Sequence, residues 1–431
     1  MTTKLMLIQR RLALLMTLAV TASSQDLSEA QVSSVKARLA DGAKASWELG
    51  TRAEALLEHD APNFSAFRSP IPPSQSVPSD TQSSIEPVLS IARNTVSGRS
   101  SSNGNIQGPQ PLMKDGSAAD PASIGVAVLL ANWTKQGGQD YAGAAKDQLD
   151  YLYQKVPRSS EGAISHRTAD VQLWSDFVYM VPPFIAYYGA LTQNQTLISD
   201  AYGQIKLYRD SLRDKDADNL WKHIVAPSDE SKADEGHWST GNAWAAAGML
   251  RVLATMKNSQ YADDFKDEQD DLTDWISEIH GGMYSHLDSG HIFTNYADVP
   301  VGSSGSFYDS SSTALLAATV YRLSLLRDVH HFLPFAENSR KTLFANNNGG
   351  WQHFTKDGWL TPVVNPQAFG KEGSASPEGQ AFVLELRAAW TEWVNDGSKG
   401  ANSAIGSPTP SRTIDLMLAL VMLFCTTSLF I

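Results

Sequence analysis

The side chains best suited to chemistry stand between His166 and Phe184. There Gln172, Trp174 and Asp176 alternate just ahead of the apolar run Tyr179-Met180-Val181-Pro182-Pro183-Phe184. Read as a helix, this segment sets Asp176 mid-helix, where aspartate has poor propensity. Its neighbours three and four positions away are Gln172, Leu173, Tyr179 and Met180. A carboxylate in so apolar a setting is costly unless it is hydrogen-bonded. Desolvation would raise its pKa, the property wanted of a general acid near neutral pH. The plainer alternative is a buried aspartate that caps a neighbouring helix.

Other candidates are spread along the chain. Asp120 precedes Pro121 at the expected start of a helix over 122–135, a common N-cap arrangement, so it is a helix cap or a second carboxylate for the site. His223, in Leu220-Trp221-Lys222-His223, reads as a loop residue that either contacts a ligand or is simply exposed. Trp238, Asn242 and Trp244 lead into a buried helix; tryptophans at such a junction suit stacking on a sugar ring or belong to the core. His280, His286 and His291 read as a cluster in a glycine-rich loop, and their spacing matches no metal motif. No metal site is expected there. Neither a Gly-x-Ser-x-Gly elbow nor a phosphate loop is present.

The elements that must position these residues are helices of two kinds. Residues 243–256 and 313–326 are apolar on nearly every face and must be buried all round. Residues 196–213 carry one apolar stripe, Leu197, Ala201, Ile205, Tyr208 and Leu212. Residues 261–279 carry another, with a strongly acidic outer face. The buried helix at 243 precedes the amphipathic one at 261, and the buried helix at 313 precedes a mixed one over 332–344. This alternation is what a closed double ring of helical hairpins needs, and the absence of a sequence repeat argues against an open solenoid. About eleven helices can be placed where twelve would complete six hairpins. An amphipathic stretch over 32–57 opens the series, and the Pro/Ser-rich segment 62–87 reads as a long surface loop.

Both termini are hydrophobic. Lys4, Arg10 and Arg11 precede an apolar run and then Ala22-Ser23-Ser24, the order of a secretory signal peptide over residues 1–24. Residues 399–431 offer small residues around Asn402, a polar spacer and an apolar end, the layout of a glycosylphosphatidylinositol (GPI) attachment signal; a retained membrane helix is the competing reading. The expectation is a secreted, cell-surface domain over residues 25–398, monomeric and touching membrane only through its lipid anchor. The chain carries 34 Lys and Arg against 46 Asp and Glu, a formal net charge of −12. That balance argues against nucleic acid, whose phosphates need a basic face. The single cysteine, Cys425, lies in the tail, so the domain has no disulfide and no thiol nucleophile. Sequons stand at Asn63, Asn132 and Asn194.

Several landmarks recur in the order in which they stand in one group of enzymes. They are Asp120 followed by a helix ending near Tyr141, then Gln172-x-Trp174-x-Asp176-x-x-Tyr179-Met180-x-x-Pro183-Phe184, and His223 after Leu220-Trp221. Trp238-x-x-Gly241-Asn242-x-Trp244 and Ser376-Pro377-Glu378-Gly379-Gln380-Ala381 complete the set. Over residues 110 to 393 the chain thereby resembles the unsaturated rhamnogalacturonyl hydrolases and the related unsaturated glucuronyl hydrolases (glycoside hydrolase families 105 and 88). The resemblance implies an all-α, (α/α)6 barrel with a pocket at one end of the inner ring, acting on an oligosaccharide or cell-wall polysaccharide. It implies that Asp176 is the general acid and base, protonating the C4=C5 double bond of a terminal unsaturated uronic acid and helping water add at C5. Asp120, Gln172, Trp174, His223, Trp238, Asn242 and Trp244 are the implied substrate contacts, and the resemblance implies no metal or organic cofactor. Related enzymes usually carry an arginine two residues after the tryptophan that matches Trp238; here that residue is Thr240, which offers no charged, bidentate partner for a carboxylate, and His166 and Arg167, close to Asp176 in sequence, are the residues that could compensate. A glycosidase on a neutral or saturated glycan and a barrel that binds glycan without turnover are therefore carried as alternatives.

Overall fold

A computed structural model describes residues 26–303, 305–347 and 350–402. The expected signal peptide and the apolar tail lie outside the described residues. Among those described, thirteen α-helices form two concentric layers. The inner layer consists of α2 (Ser46–Asp60), α4 (Gly125–Trp133), the pair α6 (Phe177–Met180) and α7 (Pro182–Leu191), α9 (Ser239–Asn258), α11 (Ser310–Arg327) and α13 (Pro377–Asn395). Each packs on the next, and α13 returns to α2, so the ring closes. The outer layer is α1 (Glu29–Gly42), α3 (Gln82–Asn103), α5 (Tyr141–Gln154), α8 (Gln195–Leu212), α10 (Lys266–Ser285) and α12 (Leu333–Leu343). Each outer helix packs on an inner one, with α1 against α13. The result is six helical hairpins, the expected (α/α)6 barrel.

The sequence pattern and the helix boundaries differ in instructive places. The stretch over 32–57 holds two helices, which supplies the twelfth. The chain breaks between them where Glu48 accepts the N–H groups of Lys44 and Ala45 at 2.7 and 2.8 Å. One inner helix is split at Pro182-Pro183, since proline cannot donate into the helical ladder. Pro87 lies inside α3 rather than in the preceding loop. The helix after Asp120 is shorter than expected, Tyr141 begins α5 instead of ending the element before it, and the acidic outer helix starts only at Lys266. His280 sits buried within α10, bonded to Thr319, so the three histidines do not share a loop.

Small residues let the inner helices approach. A Cβ on Gly248 would lie 2.1 Å from the carbonyl oxygen of Val178, so α9 meets the backbone of α6 only because that position is glycine. Between the helices, the barrel axis holds ions instead of hydrocarbon. Arg251 lies 2.6 Å from Glu58, 3.0 Å from Glu385 and 3.5 Å from Glu54, with its guanidinium over the ring of Tyr179. Arg322 bridges Glu58 and Glu392. Burial pushes Glu54 up to about 7 and raises Glu385 further.

Three short antiparallel strand pairs decorate the ends: β1 (Leu173–Trp174) with β2 (Ile224–Val225), β3 (Asn346–Asn347) with β4 (Gly350–Trp351), and β5 (Val363–Asn365) with β6 (Ala368–Gly373). In the first, Trp174 pairs with Ile224, which carries the segment around Asp176 alongside His223.

Candidate active site

The N-terminal ends of all six inner segments converge on one cavity of about 230 Å³. Each contributes a side chain from its first turn or cap: Trp47, Asp120, Asp176, Thr240, Ser311 and Glu378. Helix N-termini carry partial positive charge, so this end of the barrel favours anions in an otherwise acidic protein. The β5–β6 hairpin roofs the cavity with Asn365, Gln367 and Phe369.

Asp176 is the N-cap residue of α6, following β1, and not a mid-helix residue. Its side chain makes no capping hydrogen bond and is 14% exposed, toward the cavity. Asp120 opens a 3-10 turn (Asp120–Ile124) and does not cap the α-helix that follows. His166 lies between the two carboxylates, Nε2 3.6 Å from Asp120 Oδ1 and Nδ1 4.0 Å from Asp176 Oδ1. Ligand-type atoms of all three lie within 4.8 Å of one another, so this trio is where a cation would find donors. The ring turns a different nitrogen toward each carboxylate, but neither distance is a hydrogen bond, and Nε2 lies 3.2 Å from Ser117 Oγ. Burial raises the Asp120 carboxyl well above the usual range, and the nearby Asp176 and Asp115 charges add to the rise. Burial also holds His166 down at about 4, so its ring is neutral near pH 7.

Aromatic walls surround this trio. Trp174 stacks on His166 with ring centroids 4.8 Å apart and meets His223 edge-on. Trp238 donates Nε1–H to Asn295, whose amide in turn donates to the Phe369 carbonyl, tying the wall to the roof. Trp244 packs edge-on against Tyr179 and Phe382 at the base. His223 is buried, not exposed: Nδ1 lies 2.9 Å from Asp234, and Nε2 has no partner within the protein. Asp120 Oδ1, His166 Nδ1 and Asp176 Oδ1 are likewise buried and unpartnered. Four such atoms around one cavity cost stability and mark it as functional.

Two expected contacts do not reach the cavity. Asn242 is fully buried, accepting from Trp221 N–H at 2.8 Å and donating to the Trp221 and Trp238 carbonyls. Its polar groups are spent on fixing the loop before α9. Gln172 accepts from Trp174 Nε1 at 2.9 Å and donates to Asp170, so it holds Trp174 from behind. Thr240 lines the cavity but donates to Asp309 at 2.7 Å. Asp309 is itself the cap of α11, accepting from the Ser311, Ser312 and Val364 N–H groups.

The cavity also holds residues outside the expected substrate contacts. Arg167 lines it with its guanidinium 5.7 Å over Trp174 and, among the described residues, forms no ion pair or side-chain hydrogen bond. Its neighbour in sequence, His166, and the proximity of both to Asp176 were the available signals. Glu378 lies within the quoted Ser376-Pro377-Glu378 motif. Burial raises it to about 7, helped by the Glu48 charge, while it accepts from Trp47 Nε1 and Ser376. Trp47 and Phe369 stand alone in sequence and carried no signal.

Residues 86–355 match the family model of Glycosyl Hydrolase Family 88. The unsaturated rhamnogalacturonyl hydrolase YesR of Bacillus subtilis is 27% identical over 138 residues, which is 30% of this chain and 39% of that relative. The chain thus spans well under half the length of that curated relative. Among solved structures, a possible member of family GH105 from Salmonella enterica serovar Paratyphi A aligns with a TM-score of 0.64 at 15% identity. That alignment covers 84% of this chain and 93% of that one. The unsaturated glucuronyl hydrolase of Bacillus sp. GL1 aligns with a TM-score of 0.55 at 14% identity, covering 80% and 86%. At such identities these structures speak to the fold alone, and they carry the same six-hairpin barrel. With the family match running through more than half of the sequence, the chain belongs to Glycosyl Hydrolase Family 88.

Proposed function

We propose that the protein releases a terminal unsaturated uronic acid from an oligosaccharide by hydrating its C4=C5 double bond. Asp176 gives its proton to C4, and water adds at C5 while returning a proton to the carboxylate. The hemiketal so formed opens, and C1 then releases the neighbouring sugar. Asp120, held protonated chiefly by burial, serves as a neutral hydrogen-bond donor beside Asp176. Trp174, Trp238, Trp244 and Trp47 supply ring faces and edges for the sugar.

The observation that carries this reading is Arg167. Thr240 carries no charge and already donates its hydroxyl to Asp309, yet a guanidinium with no ion-pair partner among the described residues stands in the same cavity as Asp176. An unpaired, half-buried arginine in an acidic site is the group a uronate needs. The names of the relatives, an unsaturated rhamnogalacturonyl hydrolase and an unsaturated glucuronyl hydrolase, support the same substrate class. The test is turnover of unsaturated rhamnogalacturonan and glucuronan disaccharides in deuterated water. Deuterium appearing at C4 of the released uronate is expected; release of sugar with the double bond intact would overturn the hydration chemistry.

One observation favours a second reading, hydrolysis of a saturated glycan. Carboxylate oxygens of Asp120 and Asp176 lie within 4.8 Å, near the roughly 5 Å separation of carboxyl groups in retaining glycosidases. Incorporation of deuterium at C4 decides between the two.

The terminal sequence patterns lead us to infer secretion and lipid attachment at Asn402 or a neighbour. The described residues contain no helix long and apolar enough to cross a membrane. The sequon residues Asn63, Asn132 and Asn194 are all exposed, as glycosylation requires. Helix α13 starts at the cavity and runs about 28 Å to the far end of the barrel. A tether beyond Asn402 would therefore hold the cavity mouth outward. Release of a monomer from cells by a phosphatidylinositol-specific phospholipase tests anchor and oligomeric state together; protein that stays in the membrane fraction overturns the anchor.

A further inference from the structure

Behind the cavity wall, the segment 229–236 reaches two of the lining residues at once. It is a compact turn: Asp229 accepts the Ser231 N–H at the start of a 3-10 turn (Glu230–Lys232), and Asp234 exchanges both backbone hydrogen bonds with Ile224. His223 N–H donates to the Gly236 carbonyl, so the backbone of His223 is pinned to the same segment. Asp234 Oδ1 accepts the Gly236 N–H, leaving Oδ2 for two other partners. These are His223 Nδ1 at 2.9 Å and the Tyr296 hydroxyl, which donates at 2.6 Å.

From the same turn a second chain leads to Trp174. Lys232 Nζ donates to Asp170 at 3.1 Å, Gln172 Nε2 donates to that same Asp170 oxygen, and Trp174 Nε1 donates to Gln172. His223 and Trp174 meet edge-on with centroids 5.3 Å apart. Two hydrogen-bonded chains from one surface turn thus end on two adjoining side chains of the cavity.

The His223 branch has a specific chemical consequence. Burial alone would raise Asp234, but the hydrogen bonds from His223 and Tyr296 outweigh it and hold the carboxyl below its ordinary range. An ionised carboxylate only accepts, so Nδ1 of His223 must carry a proton. A neutral ring then presents a bare Nε2, buried in the cavity wall with no protein partner. We propose that Asp234, held in place by Tyr296, is a positioning residue that fixes the tautomer and aim of His223, so that Nε2 accepts a hydrogen bond from a hydroxyl of the bound sugar. The inference rests on the reading of the cavity as the sugar site, although the tautomer itself does not. The Lys232–Asp170–Gln172 chain orients Trp174 in parallel, which makes the 229–236 turn the device that sets one whole wall.

The experiment combines a spectroscopic and a kinetic arm on the full secreted protein. Nitrogen NMR of histidine-labelled protein, with His223 assigned through His223→Gln, reads the tautomer without any substrate. The wild type is expected to show an Nδ1–H, bare-Nε2 ring. Asp234→Asn should shift it toward the opposite tautomer or a mixture, because an amide can present either donor or acceptor. In the kinetic arm, loss of one charge-assisted hydrogen bond predicts a fall of roughly 10- to 100-fold in kcat/KM for Asp234→Asn. Tyr296→Phe should fall by less, and Asp234→Glu should recover part of the loss. Lys232→Ala should raise KM with the tautomer unchanged. An Nε2–H ring in the wild type overturns the proposal, as does an Asp234→Asn variant with an unaltered tautomer. If no uronate is turned over at all, the proposed reaction fails while the tautomer result still stands on its own.

Discussion

Replacing Arg167 by glutamine removes the one lysine or arginine charge that lines the cavity among the described residues, without altering either acidic partner in the trio. Among the described residues the guanidinium has no ion pair or side-chain hydrogen bond to lose, only its place over the Trp174 ring, so the fold should tolerate the change within about 1 kcal/mol. In the bound state, hydrogen bonds between charged groups are worth about 1.5–3 kcal/mol, which corresponds to roughly a 10- to 150-fold loss in kcat/KM. The loss should fall mainly on KM, because the carboxylate is present in ground and transition states alike. Arg167→Lys should lie between, keeping the charge and losing the fork. Adding the family-type arginine at Thr240 should not restore Arg167→Gln fully. The Thr240 hydroxyl already meets Asp309, so a guanidinium there would pair with that buried carboxylate first. Steady-state kinetics on an unsaturated disaccharide, with a parallel thermal melt, make the assay. An Arg167→Gln enzyme whose KM stays within about twofold of wild type would refute the reasoning.

Further outcomes follow from the same geometry. Asp120→Asn keeps the neutral, hydrogen-bonding character that burial already imposes, so its loss of kcat should be far smaller than that of Asp120→Ala; equal losses contradict it. Glu378, raised from 4.5 to about 7, favours the folded state most when protonated; that contribution is complete below pH 4.5 and is lost as pH rises through about 7. The thermal midpoint should therefore fall from mildly acid to alkaline pH, and Glu378→Gln should remove part of the slope, at most about 3 kcal/mol. Arg251→Ala strands Glu58 and Glu385 in the barrel axis and should cost about 3–5 kcal/mol in chemical denaturation; a loss below about 1 kcal/mol would contradict the paired axis.

The barrel was legible because burial on all faces and burial on one face leave different periodicities. Helices α9 and α11 alternate with α10 and α12 for that reason. The twelfth helix was hidden because only Ala43, Lys44 and Ala45 separate Gly42, the end of α1, from the next helix; a Glu48 side chain reaching back to Lys44 and Ala45 makes the break. In the site, Asp120, Trp174, Asp176, His223, Trp238 and Trp244 all reach the cavity. Gln172 and Asn242 share the same motifs but face away, since motif spacing does not fix which side of the wall a side chain takes. Trp47 and Phe369 could not be read, because only ring closure brings Trp47 to Glu378, 331 positions away, and only the β5–β6 hairpin brings Phe369 to Trp174, His223 and Trp238. Asp176 was placed mid-helix because its neighbours are apolar, yet a two-residue strand before it ends in a turn and leaves it at the helix cap.

The most direct test of the central claim is the ultraviolet absorbance of an unsaturated uronyl disaccharide followed with wild-type protein and with Asp176→Asn. The account predicts a steady loss of the double-bond signal with wild type and a fall of at least roughly 10²-fold in rate with the folded variant, the contribution of a positioned general acid. A folded Asp176→Asn protein that removes the double bond at the wild-type rate would contradict it, as would a wild-type protein that leaves the signal unchanged.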